Sequence, residues 1–144
     1  MAAGQIYPEP TVGALIFNDQ DQLLIVQTHK WHGNYTIPGG HIELGEHLLE
    51  ALEREIREET GLSLRTAEFV CYQEFVYDKC FWEDRHFIFF DFLCRVEPGQ
   101  VRLNDEAEAY LWVTLDEVEN YPIDDYLRHS LDIVRANPRF LDQG

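Results

Sequence analysis

The chain has 144 residues, the length of one domain, and its 45% apolar and 13% aromatic residues are enough for a packed core. Its formal net charge of −16, from 11 basic and 27 acidic residues, excludes a general binder of nucleic-acid polymers, because their phosphates require a basic surface. The apolar runs are far shorter than the roughly 20 residues of a membrane span, and the N-terminus does not resemble a signal peptide.

The first third of the chain predicts two strands and a functional loop. Residues 11–17 and 23–28 are strand-like, and the turn residues 18–21 between them indicate a β-hairpin. A loop rich in Gly, His and aromatic residues follows at 29–40. We interpret residues 1–9 as a short lead-in to the domain.

A helix is predicted from His47 to Thr60, where the apolar period changes to that of an amphipathic helix. Its apolar stripe is formed by Leu49, Leu52 and Ile56. Gly45 and Glu46 open this helix, and Gly61 is placed to end it.

The second half predicts more strands than helices. Two long β segments, about 67–77 and 85–96, flank a polar turn, and the second is apolar on both faces, as in a strand covered on both sides. Residues 109–113 form a short strand. These elements alone indicate a mixed α/β fold without fixing its topology.

Two helices are predicted near the C-terminus. Thr114 and Glu117 form a capping box for a short helix over 115–120. Asp124 or Asp125 caps a last helix that ends before Asn137, and 138–144 is predicted to be a polar, flexible tail. Cys71, Cys80 and Cys94 lack metal-site spacing and indicate free thiols in a reducing, cytoplasmic environment.

Three carboxylates on the first helix carry the chemical argument. Glu55, Glu58 and Glu59 fall within one narrow stripe, about a quarter turn from the apolar stripe. Acid-rich helices are usually solvated surfaces with i,i+4 ion pairs, and such pairs are available here as Glu50–Arg54 and Glu53–Arg57.

Those pairs leave Glu55 and Glu59 as like charges without a basic partner, at a cost of about 0.2–0.5 kcal/mol. A bound cation would remove that cost, and hard oxygen ligands favour Mg²⁺, Mn²⁺ or Ca²⁺ over zinc. The preceding Pro38-Gly39-Gly40 turn lets the backbone approach a ligand, and a Gly-rich loop before a helix often holds phosphate.

The segment from Gly40 to Leu62, GHIELGEHLLEALEREIREETGL, resembles the complete Nudix box: Gly40, Glu46 and the run from Arg54 match every specified position. The approach WHGNYTIPGG and the Trp112-Val113 strand are also similar to that family. The resemblance covers nearly the whole chain, and it implies a single domain over 1–144 with an α/β/α sandwich around a mixed β-sheet.

The resemblance also implies the site. Mg²⁺, or Mn²⁺ in its place, would be held by the carboxylates of Glu55, Glu58 and Glu59, the carbonyl of Gly39 and a further carboxylate. Glu106 matches that further ligand, with Asp105 and Glu108 as competitors. Glu46 and Arg54 would have structural roles, and the general base would be Glu55, ranked first, or Glu59.

The resemblance implies an activity in which water attacks a diphosphate linkage. The sequence looks most like a MutT-type nucleoside triphosphate pyrophosphohydrolase. Alternatives are hydrolysis of ADP-ribose or of a dinucleoside polyphosphate, with Tyr77 as a faint pointer to the latter. Two non-enzymatic alternatives are an inactive nucleotide-sensing or protein-binding module and an acidic structural domain. Predicted substrate contacts are Trp31, Tyr35, Gly40, His41, Tyr77 and Trp82. Such domains are often dimers, so a homodimer is a further expectation.

Overall fold

The structure is a computed structural model that describes residues 7–141. In these residues seven strands form one mixed sheet: β1 Glu9–Phe17, β2 Leu23–Gln27, β3 Tyr35–Thr36, β4 Gly39–His41, β5 Leu64–Val76, β6 His86–Val96 and β7 Ala109–Val113. Two α-helices accompany the sheet, α1 Leu48–Thr60 and α2 Asp125–Ala136. Short 3₁₀ turns occupy His29–Trp31, Glu117–Asn120 and Pro138–Phe140.

Strand β1 organises the sheet. It pairs in parallel with β6 along its whole length, from Glu9 opposite Phe87 to Phe17 opposite Arg95. Its other edge pairs antiparallel with β4 and then with β2, which confirms the predicted hairpin. Strand β5 pairs antiparallel with β6, while β3 and β7 both pair with β2. Gly39 and Gly40, which the sequence predicted to form a turn, therefore lie in a strand that pairs with the middle of β1.

Alternation along the central strands creates one core on each face of the sheet. Val12, Ala14 and Ile16 of β1 pack with α1, whereas Leu15 and Phe17 pack with α2. Strand β6 contributes to both cores, through Phe92 on the α1 face and Leu93 on the α2 face. The prediction that β6 is covered on both sides is therefore confirmed, and the helix–sheet–helix arrangement is the expected α/β/α sandwich.

Helix α1 presents a slightly different face from the predicted one. Leu52 and Ile56 are fully buried, but Leu49 is 53% exposed, so its assignment to the apolar stripe was wrong. The helix instead turns Leu48 and Ala51 toward the sheet. This face follows i,i+4 steps from Leu48, and it brings the side of the helix that carries Glu55 and Glu59 closer to the sheet than the predicted stripe allowed.

The helix ends follow local chemistry. Helix α1 begins at Leu48, after Gly45 and Glu46, because the Glu46 carboxylate accepts from the Glu43 amide at 2.8 Å and holds both residues in the preceding loop. Gly61 ends α1 in the left-handed region with φ 73°, as predicted. The predicted capping box is present, because the side chains of Thr114 and Glu117 each accept a hydrogen bond from the other residue's amide. The helix that follows is only a 3₁₀ turn.

The predicted chain ends need correction. Glu9 belongs to β1 and not to a lead-in, and residues 1–6 lie outside the described residues. Pro138–Phe140 forms a turn whose Phe140 is 1% exposed in the α2-side core, so this part of the predicted tail is anchored by an apolar side chain. Residues 142–144 lie outside the described residues. Neither α-helix between residues 7 and 141 has the length and apolar character to cross a membrane.

Candidate active site

Three carboxylates meet beside Gly39 and Gly40 of β4. Glu55 and Glu59 project from α1, and Glu106 comes from the loop between β6 and β7. Each offers one carboxylate oxygen, and the three oxygens lie within 4.8 Å of one another. Of the competitors named from sequence, Glu108 accepts a hydrogen bond from the His29 amide at 3.1 Å instead. The structure thus brings two residues of the box together with a carboxylate that is distant in sequence.

Glu59 is the most perturbed acid of this carboxylate group. Burial raises its pKa most, followed by the shared hydrogen bond with Glu106 and repulsion from Glu55 and Glu106. The amide of Gly39 donates to Glu59 Oε2 at 2.7 Å and lowers the pKa, but the net value is raised to about 10. Three acids at this spacing therefore cannot all ionise at neutral pH unless a cation compensates them.

Arg54 holds the surrounding acids in place. Its Nε and Nη2 atoms donate to both Glu46 oxygens at 2.7 and 3.0 Å, and Nη1 donates to Glu55 at 2.8 Å and to Glu58 at 3.2 Å. Nη2 also donates to the His41 carbonyl at 2.9 Å. One planar guanidinium therefore joins the loop, β4 and α1.

These contacts correct two predictions made for the helix. Arg54 does not pair with Glu50, which accepts from the His47 amide at 2.8 Å and closes the first turn of α1. Glu55 is not without a basic partner, because Arg54 reaches it from the neighbouring position. The pKa of Glu55 is nevertheless raised, by burial first and also by the charges of Glu106 and Glu58, although Arg54 lowers it. The second predicted helix pair, Glu53 with Arg57, is present at 4.0 Å.

Glu58 stands apart from the carboxylate group. It is exposed, its carboxylate faces Arg54, and it lies outside the set of three oxygens within 4.8 Å. It does line the same cavity. The structure therefore leaves the role of Glu58 as a metal ligand a prediction, as it does for the carbonyl of Gly39.

Gly39 and Gly40 of β4 are both required because other atoms approach them closely. A Cβ on Gly39 would collide with the backbone carbonyl of Val12 across the β1–β4 pairing. A Cβ on Gly40 would lie 2.5 Å from the carboxylate carbon of Glu55. The absence of side chains at these two positions is what lets the α1 carboxylates approach the backbone of β4.

The carboxylate group opens into a cavity of about 410 Å³. Its walls also include Trp31, whose ring lies 5.0 Å from that of Phe81 and 6.4 Å from that of Tyr126. Phe87 and Phe89 line it as well, together with the buried acids Asp91 and Asp124. The cavity therefore combines a polar, acidic part with a flat-walled aromatic part.

Of the six predicted substrate contacts, Trp31, Gly40 and His41 line the cavity. The other three, Tyr35, Tyr77 and Trp82, are not among the described residues that line it. Strand alternation in β3 sends Thr36 into the cavity and Tyr35 to the α2-side core, where its ring contacts Tyr121.

The other two aromatic side chains also lie elsewhere. Tyr77, with φ 53°, is 55% exposed beside His86, and Trp82 packs edge-on against His29. Both belong to the connection between β5 and β6, and neither the predicted strand position of Tyr77 nor the predicted loop position of Trp82 led to contact with the cavity.

Sequence reasoning missed two acids that the structure places in the cavity. Asp91 lies in the middle of the apolar run FIFFDFL of β6, and an acid in a doubly covered strand is itself a signal of a special environment. Asp124 was predicted only as a helix cap, a role that it does perform. Tyr126, Phe81 and Phe89 complete this wall, and nothing in their sequence pattern distinguished them from packing residues.

A mixed sheet between two helices, with two glycines of β4 set against a helix that bears convergent glutamates, is the arrangement that the resemblance to the Nudix family implied. The chain matches the NUDIX domain model over residues 7–132 and belongs to the Nudix family. It is a hydrolase that acts on phosphorus-containing anhydrides. Hydrolases of this family generally use a divalent metal, and the carboxylate group provides a set of oxygens for one.

Similar proteins include the Escherichia coli (strain K12) nucleoside triphosphatase NudI, 31% identical over 105 residues that make up 69% of this chain and 74% of NudI. The Danio rerio 8-oxo-dGDP phosphatase NUDT18 is 33% identical over 99 residues, but these span only 28% of its length and 67% of this chain. Among solved structures, a MutT NUDIX hydrolase from Burkholderia pseudomallei superimposes with a TM-score of 0.77 at 27% identity, covering 90% of this chain and 99% of that one.

Proposed function

We propose that this protein hydrolyses a nucleoside triphosphate to a nucleoside monophosphate and pyrophosphate, with Mg²⁺ as the metal and Mn²⁺ able to replace it. One observation carries the proposal: the convergent oxygens of Glu55, Glu59 and Glu106 share a cavity with the ring of Trp31. A metal–phosphate site and a surface for a base thus lie in one cavity. The names of the relatives, a nucleoside triphosphatase and a deoxynucleoside diphosphate phosphatase, support a nucleotide substrate.

The residues present fit a hard divalent cation. The three acids of the carboxylate group offer oxygen ligands and no sulfur or imidazole, and a bound cation would offset the burial and the acidic neighbours that raise the pKa of Glu59. Glu55, Glu59 and Glu106 would hold the ion, with Glu58 and the carbonyl of Gly39 as additional ligands. Bound there, Mg²⁺ would neutralise charge on the diphosphate and lower the pKa of a water molecule.

The protein groups would perform the remaining steps. His41 and the Gly39-Gly40 backbone would orient the phosphates, and Arg54 fixes the direction of Glu55 through a 2.8 Å hydrogen bond. A carboxylate, Glu55 in first place or Glu59, would accept the proton of the attacking water. The new O–P bond forms as the bridging P–O bond breaks, and pyrophosphate leaves with that electron pair.

ADP-ribose and dinucleoside polyphosphates remain alternative substrates. The structure weakens the pointer to the latter, because Tyr77 lies outside the cavity-lining set of the described chain. A nucleotide-sensing or protein-binding module without catalysis is the alternative from another class. It accounts less well for three acids crowded together against their own repulsion.

The three cysteines are free thiols, which supports the cytoplasm as the location, and a homodimer stays a prediction.

The test is Glu59→Gln, assayed with Mg²⁺ against nucleoside triphosphates, ADP-ribose and dinucleoside polyphosphates, with products identified. The wild type should release monophosphate and pyrophosphate from a triphosphate. The variant should lose at least about a hundredfold in kcat, since one ligand and one candidate base are removed. Its metal-free melting temperature should be equal or higher, because the repulsion in the carboxylate group is relieved.

Glu53→Gln is the matched control, since Glu53 is an exposed acid on the same helix whose ion-pair partner in the described chain is Arg57. It should retain wild-type turnover. Full activity in Glu59→Gln would contradict the metal assignment. Absence of turnover on every compound would favour the binding module, and release of monophosphates from ADP-ribose alone would favour that alternative substrate.

A further inference from the structure

The first residue of β1 lies beside a histidine that lines the cavity. Glu9 is on the same side of β1 as Thr11, because side chains two residues apart share one face of a strand. Thr11 lies opposite His41 of β4, so His41 is a diagonal neighbour of Glu9 across the two antiparallel strands. Long side chains at diagonal positions can reach one another. The register of the sheet therefore brings an acid to His41, and both Thr11 and His41 line the cavity.

Glu9 and His41 form a short hydrogen bond. The Nε2 atom of His41 lies 2.7 Å from Oε1 of Glu9, and the two side chains are 54% and 27% exposed, respectively. An ionised carboxylate only accepts hydrogen bonds, so Nε2 donates in this pair and Nδ1 is left for other contacts. The ring of Phe87 lies beside the imidazole, with the two ring centres 6.0 Å apart. A half-exposed imidazole is therefore held by one nitrogen and along one side.

Arg85 compensates the charge of Glu9. Its Nη1 atom donates to Oε1 of Glu9 at 2.6 Å, and its Nε atom donates to Glu83 at 2.6 Å. The guanidinium carbon also lies 5.9 Å from the centre of the Phe87 ring, which lines the cavity. A carboxylate near a site for anions would repel them, and the adjacent guanidinium offsets that repulsion. Arg85 also fixes the carboxylate that holds His41.

A purely structural role does not explain the contact with His41. The ion pair between Arg85 and Glu9 joins the beginning of β1 to the residue before β6, where the two strands already pair in parallel. That ion pair does not require a hydrogen bond to His41. Strand β4 is itself held by backbone pairing with Thr11 to Gly13, so it does not need the side chain of Glu9 as an anchor. What the bond does fix is the orientation of the imidazole.

We infer that Glu9 is a positioning residue, which orients His41 toward the phosphates of the bound substrate. Glu9 is not among the residues that line the cavity, so it acts through the imidazole and not on the substrate itself. Holding the ring in advance reduces the side-chain entropy that is lost when a phosphate binds. The effect is on binding, because the ring is held in the same way before and during the reaction. This inference rests on the proposed function, in which His41 contacts the phosphates.

The experiment compares Glu9→Met with Glu83→Met. Each variant removes one negative charge and one hydrogen bond to Arg85, but only Glu9→Met also removes the bond to His41. Loss of a negative charge by itself should favour an anionic substrate and lower KM in both variants. Loss of positioning should raise KM in Glu9→Met alone, so the two effects have opposite signs. Steady-state kinetics with a nucleoside triphosphate and Mg²⁺ measure KM, and calorimetry with the α,β-methylene analogue measures binding without turnover.

In Glu9→Met we expect KM and the dissociation constant of the analogue to rise by about three- to tenfold, with kcat within about twofold of wild type. Both constants should be equal to or lower than wild type in Glu83→Met. In a His41→Ala background, Glu9→Met should have no further effect, because the group that it positions is gone. Unchanged or lower constants in Glu9→Met would overturn the inference. An equal rise in Glu83→Met, or an undiminished effect in the His41→Ala background, would overturn it too.

Glu9→Asp decides the matter if Glu9→Met does not fold. Aspartate keeps the charge but is one methylene shorter, so its oxygens withdraw from Nε2 of His41. Glu9→Asp should therefore raise both constants by at least about threefold, while Glu83→Asp should leave them at the wild-type values. Wild-type constants in Glu9→Asp would refute the role of Glu9.

The two proposals fail in different ways. If the protein hydrolyses no nucleotide and binding of the analogue weakens in Glu9→Met alone, the proposed reaction is refuted and the role of Glu9 is upheld. If all variants release pyrophosphate with the same KM, the reaction is upheld and the role of Glu9 is refuted.

Discussion

Gly40 allows the sharpest test of how closely the backbone must approach the acids. In Gly40→Ala the new methyl carbon would lie 2.5 Å from the Glu55 carboxylate carbon, whereas carbon atoms in contact are about 3.5–4.0 Å apart. The Glu55 carboxylate must therefore move by about 1 Å. A displacement of that size at a reacting group costs about a hundredfold in rate, or about 2.7 kcal/mol.

The same substitution should not unfold the protein. Gly40 does not have a positive φ, so alanine fits its backbone, and the group that must shift is the end of a side chain. A Gly-to-Ala change in such a conformation stabilises by about 0.4–1 kcal/mol through the unfolded chain, which offsets part of the local strain. We thus expect kcat to fall with a melting temperature within a few degrees of wild type.

The assay is Mg²⁺-dependent release of pyrophosphate, read together with thermal melting of the same preparation. Gly99→Ala is the matched control, because its methyl group would meet Leu62 at an ordinary 3.4 Å and Gly99 lies outside the cavity lining. Wild-type kcat in Gly40→Ala would refute the reasoning, as would an equal loss in Gly99→Ala.

Three further predictions concern charge and packing. Arg54→Lys should lower kcat at least about tenfold and should also lower the melting temperature, because an ammonium cannot make the bidentate contact with Glu46. Arg57→Lys, on the exposed side of the helix, should change neither quantity. In metal-free protein the pKa of Glu59 is higher folded than unfolded, so its stabilising contribution is full below about pH 4.5 and is lost as the pH rises toward 10. The unfolding free energy of Glu59→Gln minus that of wild type should therefore increase with pH, by at most about 1.4 kcal/mol per pH unit. Urea titrations without metal measure this difference at each pH. A difference that does not change with pH would contradict the burial of that acid. Phe140→Ala should lower the free energy of unfolding in urea by about 3–5 kcal/mol, whereas Val76→Ala, at a half-exposed position, should lower it by at most about 1 kcal/mol. A loss below about 1 kcal/mol for Phe140→Ala would show that the C-terminal turn is not part of the core.

Local patterns predicted the elements better than their arrangement. The hairpin, α1, the caps at Gly61 and Asp124 and the two-sided burial of β6 follow from periodicity and from the conformational preferences of single residues. The parallel pairing of β1 with β6 could not be predicted in this way, because it joins distant segments and has no local signal. Similarly, the small rotation of α1 that exposes Leu49 depends on which neighbours the helix meets.

Within the site, spacing predicted what lies on one helix and failed where several elements meet. The proximity of Glu55 and Glu59 follows from i,i+4 geometry, but Arg54 could reach Glu46 only because a loop returns to the helix. The aromatic candidates show the same limit. A single register step in β3 decides that Thr36 and not Tyr35 enters the cavity, and residue type does not encode that step.

The parallel pair β1–β6 also has a consequence for biosynthesis. The first strand emerges early from the ribosome, yet its long partner is translated only after α1 and β5. Until then the edge of β1 that pairs with β6 has unsatisfied amides and carbonyls, because β2 and β4 cover only short stretches of the opposite edge. Nascent chains that end before residue 86 should accordingly be protease-sensitive and prone to association, whereas chains that extend past residue 96 should form the β1–β6 pair.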